Sequence, residues 1–368
     1  MTRLTSLLLA ATAATALVAG TARADIVIAT AGPMTGQYAA FGEQMKRGAE
    51  MAVKDINAKG GVLGQKLVLK VGDDACDPRQ AVAVANQFVN DGVVFVAGHF
   101  CSGSSIPASA VYHEEGIIQM SPASTNPTLT DQGFDNVFRV CGRDDQQGPY
   151  AADYAIKNKL FTKVAIVQDK SAYGKGLADA FKAELNAKGT TEVSYDAVTQ
   201  GDKDFSALIT KLKEEGADFL YYGGYHTELG LITRQAKEQG LKLAIMSGDA
   251  IVTDEYWAIT GTQGTGTYMT FSPDPRNIPA AAAVVKEFQA TNYNPEGYTL
   301  YTYAAIQVFA EAAAKAKSSE PDKVLPVLRD TSYDTVIGPV GFDKKGDKTG
   351  QNYVMFQWSQ DGKYAEIK

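Results

Sequence analysis

Short β-branched runs alternate with amphipathic segments along the chain. Ile26-Val27-Ile28, Leu67-Val68-Leu69 and Val93-Val94-Phe95-Val96 have the length and residue types of buried strands, and helical spacing marks Met45 to Ile56 and Ala81 to Val89 between them. In the first helical segment Met45, Ala49, Val53 and Ile56 share one face, and Gly60-Gly61 ends it. Asp77-Pro78 opens the next helix as N-cap and first helical residue. Strands and helices in strict alternation imply an α/β fold with a parallel sheet.

The rhythm restarts beyond Asp144, with a helix at 145–159, strand Val164-Ala165-Ile166-Val167, a helix at 176–188, a strand at 192–198, a helix at 204–215 and strand Phe219-Leu220-Tyr221-Tyr222. Asp144, three residues ahead of Gln147, has the form of a capping box, so the second unit begins there and a boundary falls near 141–144. Two prolines in Phe271-Ser272-Pro273-Asp274-Pro275 block helix and ladder bonding and mark a second break. Helical patterns resume at 279–292 and 298–317, a Gly-rich charged stretch follows at 338–350, and Tyr353 to Trp358 reads as a strand.

The first segment reads as an export signal. Arg3 precedes an apolar stretch, Leu7 to Ala19, and small residues flank the expected cleavage point after Ala24 in Ala22-Arg23-Ala24. That stretch is rich in Ala and Thr and falls short of the ~20 strongly apolar residues a membrane span needs. The expected location is therefore periplasmic, with residues 1–24 removed. The whole chain, 368 residues with 45% hydrophobic and 21% charged, has globular composition and the length of about two domains. Its net charge of −7 offers no general attraction to nucleic acid. Export also places Cys76, Cys101 and Cys141 where a pair is expected to be bridged. Three pairings are open. Cys76 with Cys101 is preferred because both follow predicted strands whose loops adjoin in a parallel sheet, which leaves Cys141 as a buried thiol.

Enzyme chemistry finds little support. The phosphate-binding loop and the dinucleotide fingerprint are absent, and Gly264-Thr265-Gly266 is only a fragment, so no cofactor is expected. His99, His113 and His226 lack zincin spacing, and no metal site is expected. Asp73, Asp74 and Asp77 fit no calcium loop and read as a solvated turn with a helix cap. The sharpest catalytic candidate is His99-Phe100-Cys101-Ser102, a base near a nucleophile at a strand end. A bridged Cys101 cannot act as a thiolate, and the nucleophile elbow is missing, so the expectation is no catalytic residue.

Asp73-Asp74-Ala75-Cys76-Asp77-Pro78 and Gly98-His99-Phe100-Cys101-Ser102 resemble segments of the periplasmic leucine/isoleucine/valine binding proteins of ATP-driven importers. Asn57-Ala58-Lys59-Gly60-Gly61, Ser121-Pro122-Ala123, Asp145-Gln146-Gln147-Gly148-Pro149, Tyr173-Gly174, Tyr221 to His226 and Gly346-Asp347 continue the likeness in the same order, from about Asp25 to the C-terminus. The resemblance implies the type I periplasmic binding protein fold: two Rossmann-like lobes joined by three crossovers. Lobe one would take residues 25–142 and 273–349, and lobe two 143–272 and 350–368.

It also implies a zwitterionic ligand, an aliphatic and branched-chain L-amino acid, held between two closing lobes. Ser102 and Thr125 match positions that bind the carboxylate, and the Ala123 carbonyl matches one that accepts from the ammonium. Tyr225 would donate to the carboxylate, and Asp249 would pair with the ammonium in place of the Glu common in the family. Phe41, Phe100, Tyr173 and Tyr298 would form the apolar wall, although buried aromatics also serve plain core packing. Asp249 competes with a role as helix cap. A membrane permease of an ABC importer is the implied partner of a monomeric receptor. Receptors for an amide, a urea-like molecule or an aromatic acid, and ligand sensors for signalling, are the alternatives within this class.

Overall fold

The computed structural model describes residues 24–350 and 352–367; the expected leader, apart from Ala24, lies outside the described residues. Five parallel strands, β1 (Ile26–Gly32), β2 (Leu67–Asp73), β3 (Phe95–Gly98), β4 (Ile118–Ser121) and β5 (Val137–Arg139), form one sheet in the order β2-β1-β3-β4-β5. A second sheet repeats the pattern with β6 (Val164–Gln168), β7 (Ser194–Ala197), β8 (Phe219–Gly223), β9 (Ala244–Ser247) and β10 (Tyr268–Phe271), in the order β7-β6-β8-β9-β10. Both halves thus have the same doubly wound topology, although no sequence repeat marks it. The hairpin of β11 (Tyr333–Thr335) and β12 (Gly338–Val340) stands apart, and β13 (Val354–Trp358) and β14 (Tyr364–Ile367) extend the second sheet antiparallel beyond β10.

The chain passes between the sheets three times. After β5 it leaves the first sheet. After β10 it returns, and the helix Thr299–Ala316 packs on the helix Ala39–Ala58 and against β3. After β12 it crosses again to supply β13. These are two Rossmann-like lobes with three crossovers. The central strands β3, β6 and β8 are buried along their whole length, as continuous apolar runs covered by helices on both faces require. Rings reinforce each core: Phe95 stacks on Phe309 at 4.4 Å and Phe181 on Tyr221 at 3.7 Å between centroids.

Three local expectations change. Asp144 is the first residue of the helix Asp144–Lys157, not a cap making a side-chain bond, and both Asp144 and Gln147 are buried instead of closing a capping box. Asp74 is no solvated turn residue: it is buried, with its carboxylate 2.6 Å from His99 Nδ1, while Asp77 does cap its helix through Arg79 and Gln80 N–H. Asp249 caps no helix; the helix Asp254–Thr260 is capped by Thr253. The disulfide joins Cys76 to Cys101, and Cys141 is free and buried.

An ion cluster ties the first crossover to the last. Asp347 receives Arg139 Nε at 2.6 Å, Arg143 Nη1 at 2.7 Å and the Thr130 hydroxyl at 2.8 Å. Arg143 also reaches Asp131 and Asp145. An opening of about 980 Å³ lies beside this cluster, lined by Cys141, Arg143, Asp145, Lys345 and Asp347. It is a crevice between crossovers beside the edge strand β5, away from the switch point between β1 and β3 where such sheets place ligands.

Candidate functional site

In each sheet the strand order reverses between the first and third strands, and ligands of such sheets bind outside the carboxyl ends at that switch. Phe100 and Ser102 follow β3, Ala123 follows β4, Tyr173 follows β6, Tyr225 follows β8 and Asp249 follows β9. These six, with Tyr298 and Ala250, enclose one small cavity with an empty space of about 200 Å³. Seven of the nine residues singled out from the sequence are therefore together. Phe41 stands behind the cavity, stacked on Phe100 at 4.4 Å and edge-on to Tyr298 at 6.2 Å between centroids. Thr125 is buried beside Asp144, and its hydroxyl makes no hydrogen bond among the described residues.

The loops on the first-lobe side are tightly held. Ser102 opens the helix Ser102–Glu114, and its hydroxyl oxygen accepts from Asn126 N at 3.2 Å. The Ser121 hydroxyl donates to the His99 carbonyl and the Ser124 hydroxyl to the Phe100 carbonyl, both at 2.8 Å. His99 is locked in turn by Asp74 and, at 2.8 Å, by the Tyr112 hydroxyl. Both ring nitrogens of His99 therefore point away from Ser102, and Cys101 is in the disulfide, so the group is not arranged as base and nucleophile. Among the described residues no cluster of three His, Cys, Asp or Glu side chains could hold a metal.

On the second-lobe side Asp249 is the focus. Gly248 before it lets the backbone come close, since a Cβ there would stand 2.5 Å from Leu177 and 2.6 Å from the Tyr173 hydroxyl. The Asp249 carboxylate accepts from Tyr173 at 2.9 Å, from Gln147 Nε2 at 3.1 Å and from the Tyr298 hydroxyl. Burial pushes its carboxyl above the usual range, while the bonds from Tyr298, Tyr173 and Gln147 pull it back. Tyr298 packs on Phe41 and Phe100 and donates its N–H to Gln44, so its bond to Asp249 links the lobes. Asn126 Nδ2 donating to the Ala172 carbonyl at 2.7 Å is a second link. Tyr225 lies buried against Tyr38 at 4.4 Å and Tyr173 at 5.2 Å between centroids.

Residues 25–363 match the family model described as periplasmic binding protein. The chain belongs to that family. It is 48% identical over 352 residues to Leu/Ile/Val-binding protein homolog 1 of Brucella melitensis, covering 95% of each chain. An amino acid binding protein of Pseudomonas aeruginosa is 50% identical over 349 residues, covering 94% of this chain and 93% of that one. Among solved structures, a leucine binding protein, LivK, of Thermotoga maritima superposes with TM-score 0.86 at 27% identity, over 93% of this chain and 98% of that one. The branched-chain amino acid transporter substrate binding protein LivJ of Streptococcus pneumoniae, in complex with isoleucine, gives 0.85 at 27%, over 94% and 99%.

Pattern reasoning passed over Gln147, Ala250 and Asp144. Gln147 and Asp144 carried a signal, two polar residues one turn apart, but their spacing also fits a capping box. Ala250 carried none.

Proposed function

We propose that this chain is the periplasmic receptor of an ABC importer, without catalytic activity, that closes on one aliphatic L-amino acid and delivers it to a membrane permease as a monomer. One observation carries the reading: a buried carboxylate from one sheet and a buried hydroxyl from the other, Asp249 and Ser102, line the same small cavity at the strand ends. In this reading Ser102, Thr125 and Tyr225 hold the ligand carboxylate, Asp249 and the Ala123 carbonyl hold the ammonium, and Phe41, Phe100, Tyr173 and Tyr298 surround the side chain. Residues 25–142 with 273–349 move as one body and 143–272 with 350–368 as the other.

The rings that line the cavity narrow the ligand. Phe100 and Tyr298 both line it and meet edge to face at 5.2 Å between centroids, which leaves little room for a second ring between them. Smaller aliphatic amino acids are favoured over aromatic ones. A ligand that is only an anion would face the Asp249 carboxylate with no compensating charge, which disfavours aromatic acids. Calorimetry and thermal unfolding with alanine, valine, leucine, phenylalanine, benzoate and acetamide test this. A bound amino acid at ~100 times its Kd should stabilise the protein by about 2.7 kcal/mol. Heat signals and midpoints unmoved by every amino acid would overturn the proposal.

A further inference from the structure

Tyr38 ends the loop after β1, immediately before the helix Ala39–Ala58. It is 3% exposed, yet its side chain does not cap that helix and does not line the cavity. It crosses instead to Tyr225 through Glu228, just beyond β8. Its ring lies 4.4 Å from the Tyr225 ring and, edge-on, 6.1 Å from the His226 ring between centroids. Its hydroxyl donates to Glu228 Oε2 at 3.4 Å. Beside it the Thr227 hydroxyl donates to the Gln37 carbonyl at 3.4 Å, and Phe41, one turn further on, meets the His226 ring edge-on at 5.3 Å.

Most of the receiving side is fixed without Tyr38. Glu228 is fully buried, and its other oxygen accepts from Gly201 N at 2.8 Å. His226 Nε2 is 3.0 Å from Glu255. Tyr225 is different. Among the described residues it has one ring contact on its own side, Tyr173 at 5.2 Å, and two from the first-lobe side, Tyr38 and, at 6.4 Å, Phe100. Burial pushes the Tyr38 phenol up, and Glu228 and Asp169 add to it, so the hydroxyl keeps its proton and stays a donor.

We propose that Tyr38 is a positioning residue of the binding site: it holds the Tyr225 ring against the cavity when the lobes meet, and its bond to Glu228 ties the two sides together away from the ligand. The inference rests on the proposed amino-acid site, in which Tyr225 serves the ligand carboxylate. Rings in tilted contact attract beyond the area they bury, whereas the hydroxyl bond is long for its type, so packing carries the larger share. Both contacts join opposite lobes and neither involves the ligand. They are made by closing and lost on opening, so they lengthen the life of the complex without changing how often a ligand meets the open form.

The test uses the mature full chain and the tightest-bound of L-alanine, L-valine and L-leucine, with calorimetry for Kd and rapid mixing for rates. Tyr38→Ala should raise the dissociation rate at least tenfold and leave association within threefold. Tyr38→Phe, which keeps the ring and loses the bond to Glu228, should raise dissociation by threefold or less. Where Tyr38→Ala does not fold, Tyr38→Leu replaces it with the same expectation. Tyr225→Phe should weaken binding by a factor at least three times larger with Tyr38 in place than in the Tyr38→Ala or Tyr38→Leu background, a coupling that a loss of stability alone would not produce. Wild type that takes none of the three amino acids overturns the receptor reading and the role of Tyr38 with it. Wild type that binds one, with dissociation unchanged in the Tyr38 variants, a loss confined to association, or independent effects at Tyr38 and Tyr225, overturns the role of Tyr38 and leaves the receptor reading standing.

Discussion

Replacing Asp249 removes the one carboxylate that lines the cavity. The residue is 3% exposed, and its acceptors serve Tyr173, Gln147 and Tyr298. Losing one member of a buried charge pair costs ~2–5 kcal/mol of binding. Asp249→Ala should therefore raise the Kd for a bound amino acid by about thirtyfold to a few thousandfold, at ~1.4 kcal/mol per decade. Asp249→Asn keeps an oxygen for Tyr173 but loses the charge. Charge-assisted bonds are roughly twice as strong as neutral ones, so it should still cost about tenfold or more. Stability without ligand behaves differently. The alanine variant leaves the phenols of Tyr173 and Tyr298 without an acceptor, at about 1–3 kcal/mol each, but it also removes a carboxylate that burial disfavours, so the midpoint should move little. Calorimetry with unfolding curves on the same samples separates the two effects. A Kd within twofold of wild type in both variants would refute the assignment of Asp249 as the ammonium partner.

Three further outcomes follow from contacts outside the cavity. Unfolded and unreduced, the protein should titrate one thiol, Cys141, and three after reduction; the Cys76–Cys101 bridge, with a sequence separation of 25, should contribute about 3.5 kcal/mol to unfolding free energy in the chain-entropy model. Asp347→Ala should destabilise the fold by ~3–5 kcal/mol in urea titration, because it strands the fully buried Arg139. Burial and the Asp254 carboxylate push Glu296 up to about 7 from an ordinary 4.5, so the folded protein holds a proton that the unfolded chain has lost between those values. Stability should then fall as pH rises through that window, by up to about 3 kcal/mol, and Glu296→Gln should flatten the dependence measured by urea titration from pH 4 to 8.

Elements with a strong period were legible in the sequence. The Met45 to Ile56 pattern lies inside the helix Ala39–Ala58, and Phe219 to Tyr222 lies inside β8. Much of what builds the site had no such period. The helix Ser102–Glu114 carries four serines and Pro107 in place of an apolar stripe, and its Ser102 and Ser105 hydroxyls serve the neighbouring strand-end loops. β9 and β10 have four residues each, too short for a pattern to stand out from chance. Six of the residues singled out by resemblance converge on the cavity because they follow strand ends, and Tyr298 reaches it from the start of the helix Thr299–Ala316. What resemblance could not convey is support: the Gln147 bond to Asp249, or the His99 pair of bonds that fixes Phe100 and Ser102, joins residues far apart in the chain.

The bond from Tyr298 to Asp249 gives closure a physical account. It crosses between the two sheets' strand ends, so the Asp249 carboxylate already has a phenol partner from the other side. A ligand ammonium improves on that phenol because it brings a full opposite charge to a buried carboxylate, whereas a neutral ligand brings nothing the phenol does not already supply. In the proposed function the same ligand also reaches Ser102 across the cavity, and both contacts would coexist only when the lobes are together. Affinity for the closed form then exceeds affinity for the open form by the worth of the contacts on one side, and that difference is what shifts the population. On the proposed function, selection for a molecule with two charged ends and a short apolar body would arise from the act of closing and need no separate filter.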